Sequence, residues 1–397
     1  MSTVKYFVFL ISMMAFLTSC QPPVQETGKD GEGSSSNPPA EAPSTPEAPT
    51  RRLYVASGQC YSGSGITTFN ATTASNLIFK VNTTTGSREG IIADYYAAPA
   101  AAGDSPLSLV EWDAHNLLVF VRNGTKGGLE VLPKQGGTRN VFGTNPAIST
   151  ILATTPQAMQ KSSDGGLLLI RTGFIEKLNA SGIRQASPHV NNNLGATCGT
   201  SNALYTNIAV SNSGHIITAN AAASPNNRLI SVPGAGANGS CSSGVAAPAT
   251  TTHATALVFD RTHGKLIVAY AGNTIASANV NSIHAYDFDE TTGVISNDQI
   301  IYDANQYPTV YPYLLFGISA MTLDEETNSL YVATAISNAT TTINYAIEKL
   351  AYNAAKIGVT NSEVLTRSGG LPFYNYGADT KCISSMVVGT ESVSLTQ

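Results

Sequence analysis

Charge is scarce in this chain. Asp, Glu, Lys and Arg make up 12% of the 397 residues, 21 basic against 26 acidic, for a net charge of −5. No basic patch stands out, so the electrostatic footprint on which nucleic-acid binding depends is missing and no nucleic-acid partner is expected. Cysteine is limited to five residues, none in a C-x-x-C pair, which removes the close spacing that zinc sites use. G-x-S-x-G, H-E-x-x-H and a phosphate-binding loop are all missing, so no catalytic residue, metal or cofactor is assigned. There is one Trp. The apolar run 6–17 is too short and wrongly flanked to cross a bilayer as a helix.

That run has another meaning. A start ending at Lys5, the apolar run, and then Thr18-Ser19-Cys20 have the layout of a secretory signal. Leu17-Thr18-Ser19-Cys20 resembles the bacterial lipobox, whose cysteine is acylated and becomes the new N-terminus. The resemblance implies a signal peptide over 1–19 and a lipoprotein anchored by acyl chains on Cys20, each buried methylene contributing about 0.8 kcal/mol. Gln21 rather than Asp follows the cysteine. By resemblance to enterobacterial sorting this favours the outer membrane, and the localisation expected is the cell envelope.

Residues 20–51 contain the acylation site and a stretch of Pro, Ser, Glu, Gly and Thr that cannot bury enough apolar surface to offset its ordering entropy. It reads as a tether with an rms reach of roughly 30 Å. Outside the cytoplasm the four remaining cysteines, Cys60, Cys198, Cys241 and Cys382, suggest two disulfides with three possible connectivities.

From residue 52 to 397 one pattern recurs: a short apolar strand, a polar turn and a second apolar strand. Its copies lie at 107–120, 158–170, 207–219, 256–269 and 320–333, and a last one begins at Ile383. A strand running into a Gly-closed turn follows each copy, as in Val81-Asn82-Thr83-Thr84-Thr85-Gly86. Two hairpins per period make a four-stranded antiparallel sheet that cannot bury both faces alone, and radial stacking solves the problem. The fold class is therefore all-β, a β-propeller. Arg52-Leu53-Tyr54-Val55-Ala56 and Ser329-Leu330-Tyr331-Val332-Ala333 resemble the YVTN and NHL repeats of bacterial propellers. Five complete blades and one split between the chain ends make six, with 383–388 innermost and 52–57 second in the split blade; seven is the alternative count, because the spacing widens after residue 260. That closure puts Cys60 beside Cys382 and leaves Cys198 to pair with Cys241.

Turns between strands one and two and between three and four read as short. Connections between strands two and three, and between blades, read as long, and both long classes emerge on one side of the disc. Long loops on a rigid scaffold are where function concentrates. On that side stand the ligand-contact candidates Tyr61, Tyr95, Tyr96, Tyr307, Tyr311, Tyr313, Phe373, Tyr374 and Tyr376. Tyr beside Asn and Ser combines rigid aromatic area with hydrogen-bonding tips. The function expected is a non-enzymatic binding or scaffold module for an envelope protein, peptide or glycan. The alternative is a metal-dependent, lactonase-like hydrolase using the central channel, for which Glu111, Asp113, His189 and His253 are the residues to test; Asp260 and Asp324 read as turn formers. The lipobox predicts that Cys20→Ser moves the protein out of the membrane fraction without unfolding it, and its retention there after a salt wash would overturn the anchor.

Overall fold

The structure is a computed structural model. It describes residues 50–391 except 59, 63–64, 68–75, 96–103, 124–125, 144–157, 172–173, 186–187, 192–193, 195–197, 199–204, 221–227, 237–240, 249–251, 273–280, 316, 338–342, 369–371 and 378–381. The compact unit spans Ala48–Gln397.

Six sheets form the blades of a β-propeller. Blade 1 is built from both chain ends: Cys382–Glu391 is innermost, Thr50–Gly58 second, Leu77–Asn82 third and Arg88–Asp94 outermost. The seam register runs from Thr50 opposite Glu391, through Leu53 opposite Val388, to Gly58 opposite Cys382. The expected split blade is thus present. Blade 2 comprises Asp104–Glu111, Asn116–Asn123, Lys126–Pro133 and Asn140–Val141; blade 4 comprises Tyr205–Val210, Ile216–Asn220, Arg228–Val232 and Ser243–Ala246. Blade 5 comprises Thr252–Asp260, Lys265–Gly272, Ser282–Phe288 and Ile295–Asp303; blade 6 comprises Ala320–Asp324, Ser329–Ser337, Ile343–Tyr352 and Leu365–Arg367. In blade 3 the strands Met159–Lys161, Leu167–Arg171 and Phe174–Leu178 are followed by single bridges, Leu178 to Arg184 and Ile175 to Val190, in place of a regular outer strand. The widened spacing after residue 260 comes from the connections after Asp303 and Tyr352, which carry the 3-10 turns Ala304–Gln306, Ala354–Lys356 and Asn361–Glu363, and not from a seventh blade.

The core sits between blades. Second strands are apolar on both faces because each blade is covered on both sides: Leu53, Tyr54, Val55 and Ala56 are fully buried, as are Leu330, Tyr331, Val332 and Ala333. Six apolar clusters occupy the six blade interfaces. One joins Ile267 and Ile283 of blade 5 to Leu330 and Leu350 of blade 6, and another joins Tyr331 and Ile347 of blade 6 to Phe79 and Ile383 of blade 1. At about 1.5–3 kcal/mol for each large side chain buried, these interfaces supply most of the folding drive. The Gly-closed turns recur as expected. Asn82 accepts from the amides of Thr84 and Thr85 through its side chain, and Asp289 does the same for Thr291 and Thr292. Gly293 closes the second of these turns at φ 72°, and a Cβ there would stand 2.6 Å from the His215 ring of blade 4.

Polar bonds tighten the seam. Tyr54 donates to Glu391 at 2.8 Å and Lys80 donates to the same carboxylate at 3.0 Å, while buried Lys134 of blade 2 donates to Glu111 at 2.5 Å and to the Thr390 carbonyl at 2.8 Å. Burial works to raise the Glu391 carboxyl, but hydrogen bonds from Lys80 and Tyr54 and the lysine charge outweigh it and hold the group below its ordinary value of 4.5. A depressed carboxylate stabilises the fold above its unfolded value, and that contribution is lost as pH falls through the folded one. Glu391→Gln is therefore expected to lower thermal stability at neutral pH and to make the acid-side loss below pH 4.5 shallower than in the wild type, as melting curves across that range will show.

Cys198 and Cys241 form a disulfide with Cα atoms 6.0 Å apart, within the ~4.4–6.8 Å such bonds allow. It ties the connection between blades 3 and 4 to the approach to the outermost strand of blade 4. Cys382 is also disulfide-bonded. Gly58 is its backbone partner, so Cys60 lies two residues past that pair at the same end of the seam; the Cys60 side chain lies outside the described residues. Non-reducing peptide mapping is expected to recover a Cys60 to Cys382 peptide, and a Cys60 to Cys198 or Cys60 to Cys241 peptide would overturn the pairing.

Candidate functional site: the loop face and the channel

Antiparallel order sends the connections between strands two and three, and between blades, to one side of the ring. Their lengths are less uniform than the sequence suggests. Asn123 leads to Lys126 and Arg171 to Phe174 in tight hairpins on the loop side, whereas Val232 leads to Ser243 and Tyr352 to Leu365 by longer paths on the opposite side. The stretch from residue 233 to 252 is divided: Pro233 to Ser242 lies at the short-turn end, and the part after Ala246 returns to the loop side.

The short-turn side is closed by bonds between blades. Glu290 of blade 5 accepts from the amides of Asn212 and Ser213 in blade 4, at 3.0 and 2.8 Å. Glu325 of blade 6 accepts from the Arg261 amide of blade 5, and Arg51 of blade 1 donates to Asp324 of blade 6 at 2.6 Å. Asp260 and Asp324 do build their turns, accepting from the amides of His263 and Glu326. They also receive neighbours, since the Tyr352 hydroxyl donates to Asp260 at 2.8 Å.

The aromatic candidates separate by burial. Tyr311 and Tyr313 are each 3% exposed and Tyr95 is fully buried, so these three belong to the core and not to the solvent face. Tyr95 donates to Glu130 beneath the Arg139 guanidinium; Tyr313 donates to the Leu365 carbonyl and stacks on Tyr302. Burial pushes the Tyr311 hydroxyl up to about 12. The reason is topological: the connection entering blade 6 lies across the crevice between blades 5 and 6, where Tyr311 and Tyr313 fill it, and Tyr95 packs between blades 1 and 2. Phe373 packs edge-on to Tyr331, and Tyr374 packs on Phe79, both half-buried. Tyr307 stays out at 46% exposed, beside Val310 and Leu314 at 45% and 40%. The side chains of Tyr61 and Tyr376, and all of Tyr96, lie outside the described residues.

The inner strands of all six blades surround a channel. Its short-turn half encloses about 420 Å³ between Leu109, Ile208, Leu257, Met321 and Met386, with Glu111, Lys161, Arg261 and Glu325 at the mouth. Its loop-side half narrows to about 90 Å³ and carries Ser108, Gln160, Asn207, Ser319 and Ser384. Most of these polar groups are already engaged. Ser384 donates to the Pro106 carbonyl at 2.7 Å, Ser319 to Ile383 at 2.8 Å, Asn207 to Thr255 at 3.0 Å, and Ser108 accepts from the Met159 amide at 3.2 Å. Each bond crosses to a neighbouring blade where an inner strand bulges, as at Ser384 opposite Ala56 and Ser57 or at Thr255. Glu111 is engaged by Lys134, and Asp113 by the amides of His115 and Asn116. His189 meets the Gly234 carbonyl at 3.1 Å between blades 3 and 4, whereas His253 is buried at the start of the inner strand of blade 5. Among the described residues no three His, Cys, Asp or Glu side chains gather to hold a metal ion.

Two clusters were not legible in the sequence. Asp260 Oδ2 holds both His263 Nδ1, at 2.8 Å, and the Tyr352 hydroxyl beside a cleft of about 720 Å³ between blades 5 and 6. In blade 5, Ser282 Oγ stands 2.9 Å from His284 Nε2, and Asp298 Oδ1 stands 2.6 Å from His284 Nδ1. Only Ser-x-His spacing on one strand hints at the second, and that signal is too short to single out.

No protein-family model matches the chain, and no curated protein matches it. Among solved structures it is similar to a putative 6-phosphogluconolactonase from Bacteroides uniformis, at 10% identity over 85% of this chain and 99% of that one with a TM-score of 0.49. A protein from Lactobacillus plantarum matches at 12% identity over 86% and 99%, TM-score 0.47. TolB from Acinetobacter baumannii matches at 12% over 80% and 62%, TM-score 0.45. The likeness is one of fold, and nothing of their chemistry passes to this chain.

Proposed function

We propose that the protein is a module of the cell envelope, lipid-anchored through Cys20 at the outer membrane, that recognises a protein, peptide or glycan through the loop face of its propeller. What supports this reading most is the placement of Thr50. It stands opposite Glu391 at the short-turn end of the seam, so the chain preceding it joins the ring on the side opposite the loops. An entry point on that side leaves the loop face unobstructed where the chain joins the ring. Serine and asparagine groups of the channel and several short turns are engaged between blades. The uncharged stretch from Ala304 to Thr322 offers groups to a partner: Tyr311 and Tyr313 pin it to the core while Tyr307, Val310 and Leu314 face outward. An aromatic anchor on a rigid loop gives contact area at low entropic cost.

Photo-crosslinkers placed at Tyr307 and at Val359, which is 78% exposed on the short-turn side, test the assignment in cells expressing the full chain. Adducts are expected from Tyr307 and not from Val359, and equal yields from both faces would overturn it. With the crosslinked partner in hand, Tyr307→Ala is expected to weaken binding about tenfold, in keeping with a loss of ~1–2 kcal/mol. Tyr311→Ala is expected to act differently, lowering the melting temperature because it empties a core position.

A further inference from the structure

The outer half of blade 5 holds a hydrogen-bonded Ser, His and Asp in series. We propose that Ser282, His284 and Asp298 are the nucleophile, base and positioning carboxylate of a site that hydrolyses small carboxylic esters. Both links have the length such a relay requires, 2.9 Å from Ser282 Oγ to His284 Nε2 and 2.6 Å from His284 Nδ1 to Asp298 Oδ1. The polarity is also right. A carboxylate accepts from Nδ1–H, which leaves Nε2 as the acceptor for the serine hydroxyl proton.

The fold holds the imidazole in place. Ser282 and His284 are two residues apart on the strand Ser282–Phe288 and so project from one face, and Asp298 reaches the same face from the outermost strand Ile295–Asp303. Tyr270 packs edge-on to the imidazole, ring centroids 5.0 Å apart, and Tyr286 lies parallel to it at 6.2 Å. The two tyrosine hydroxyls join each other at 2.9 Å, and burial pushes both upward, so they remain neutral phenols. Asp298 follows a bulge residue, Asn297, held at φ 51°, whose amide donates to Asp287 at 2.5 Å. A non-glycine residue at positive φ is uncommon, and a bulge is a device for aiming a neighbouring side chain.

Depth completes the arrangement. His284 is 2% exposed, while Ser282, the first residue of its strand, is half-buried at the loop-face end. The nucleophile therefore meets solvent and substrate, and the base beneath it is shielded. Ser282 Oγ attacks the ester carbonyl carbon as its proton passes to His284 Nε2; the acyl–oxygen bond breaks and that proton leaves with the alcohol. Water then attacks the acyl-serine, giving its proton to His284, which returns one to Ser282 Oγ as the acid departs. One ester and one water become one acid and one alcohol.

The test is made on the full chain with a fluorophosphonate probe, mapped by mass spectrometry, and with p-nitrophenyl acetate. Wild type is expected to carry the phosphonate on Ser282 and to turn over the ester, and Ser282→Ala to lose both. His284→Gln is expected to lose labelling. If that variant does not fold, Asp298→Asn decides, because its carboxylate is 43% exposed. It is expected to lower kcat about 10²–10⁴-fold with KM unchanged, a split that a merely structural role would not produce. A folded wild type unlabelled at Ser282, labelling undiminished in folded His284→Gln, or an unchanged kcat in Asp298→Asn would each overturn the proposal.

Discussion

Everything in this molecule depends on the pairing of Cys382–Glu391 with Thr50–Gly58. A blade has two apolar faces, and five blades in a row would leave two of them open. The seam supplies the sixth blade and, with it, two interfaces at once: Phe79 and Ile383 against Tyr331 and Ile347, and Tyr54 and Ile78 against Leu117 and Val119. The entropy of bringing distant chain ends together grows only logarithmically with length, about 0.6 kcal/mol for each doubling. Two buried interfaces outweigh that cost, so closure is favourable although the partners lie more than 300 residues apart in sequence.

Closure also sorts the polar groups. With so few charges, most pair strands within a blade, as Lys134 does with Glu111 and Lys80 with Glu391, and Arg51 with Asp324 joins two blades. A buried polar group without a partner costs about 1–3 kcal/mol, and the ring answers by spending serine and asparagine from one inner strand on the backbone of the next. The channel wall is for that reason a structural belt. Its aliphatic residues and engaged hydroxyls make it a joint between blades, and the surface open to recognition moves outward to the loops.

The same rigidity gives the outer strands precision. Ser282, His284 and Asp298 meet because two strands pair in one register, interrupted by one bulge, against a wall of tyrosines supplied by the second and third strands of the blade. A shift of one residue would turn His284 away from Asp298. Second-strand burial and the interface with blade 4 hold that register.

Much of the architecture was legible along the chain because its signals are local. Alternation at 256–269 and 320–333 reports strands, Asn82 to Gly86 reports a turn, and the wording shared by Ile318-Ser319-Ala320-Met321 and Ile383-Ser384-Ser385-Met386 marks two inner strands of one ring. The split blade follows from counting such units, whereas the sequence left the distance between Cys198 and Cys241 open and the fold brings them together. The side chains of the loops were legible only in part. Tyr311 and Tyr313 read as exposed because they stand in a long connection between blades, yet the crevice that buries them is made by Ile267, Ile283 and Leu350 from distant parts of the chain. Lys134 gives no sign in the sequence that Glu111 and the Thr390 carbonyl bury it across two blades. Periodicity along a strand fixes which residues share a face. Which face of another strand they meet, and at what register, is set by packing between segments hundreds of residues apart, and only the tertiary structure decides it.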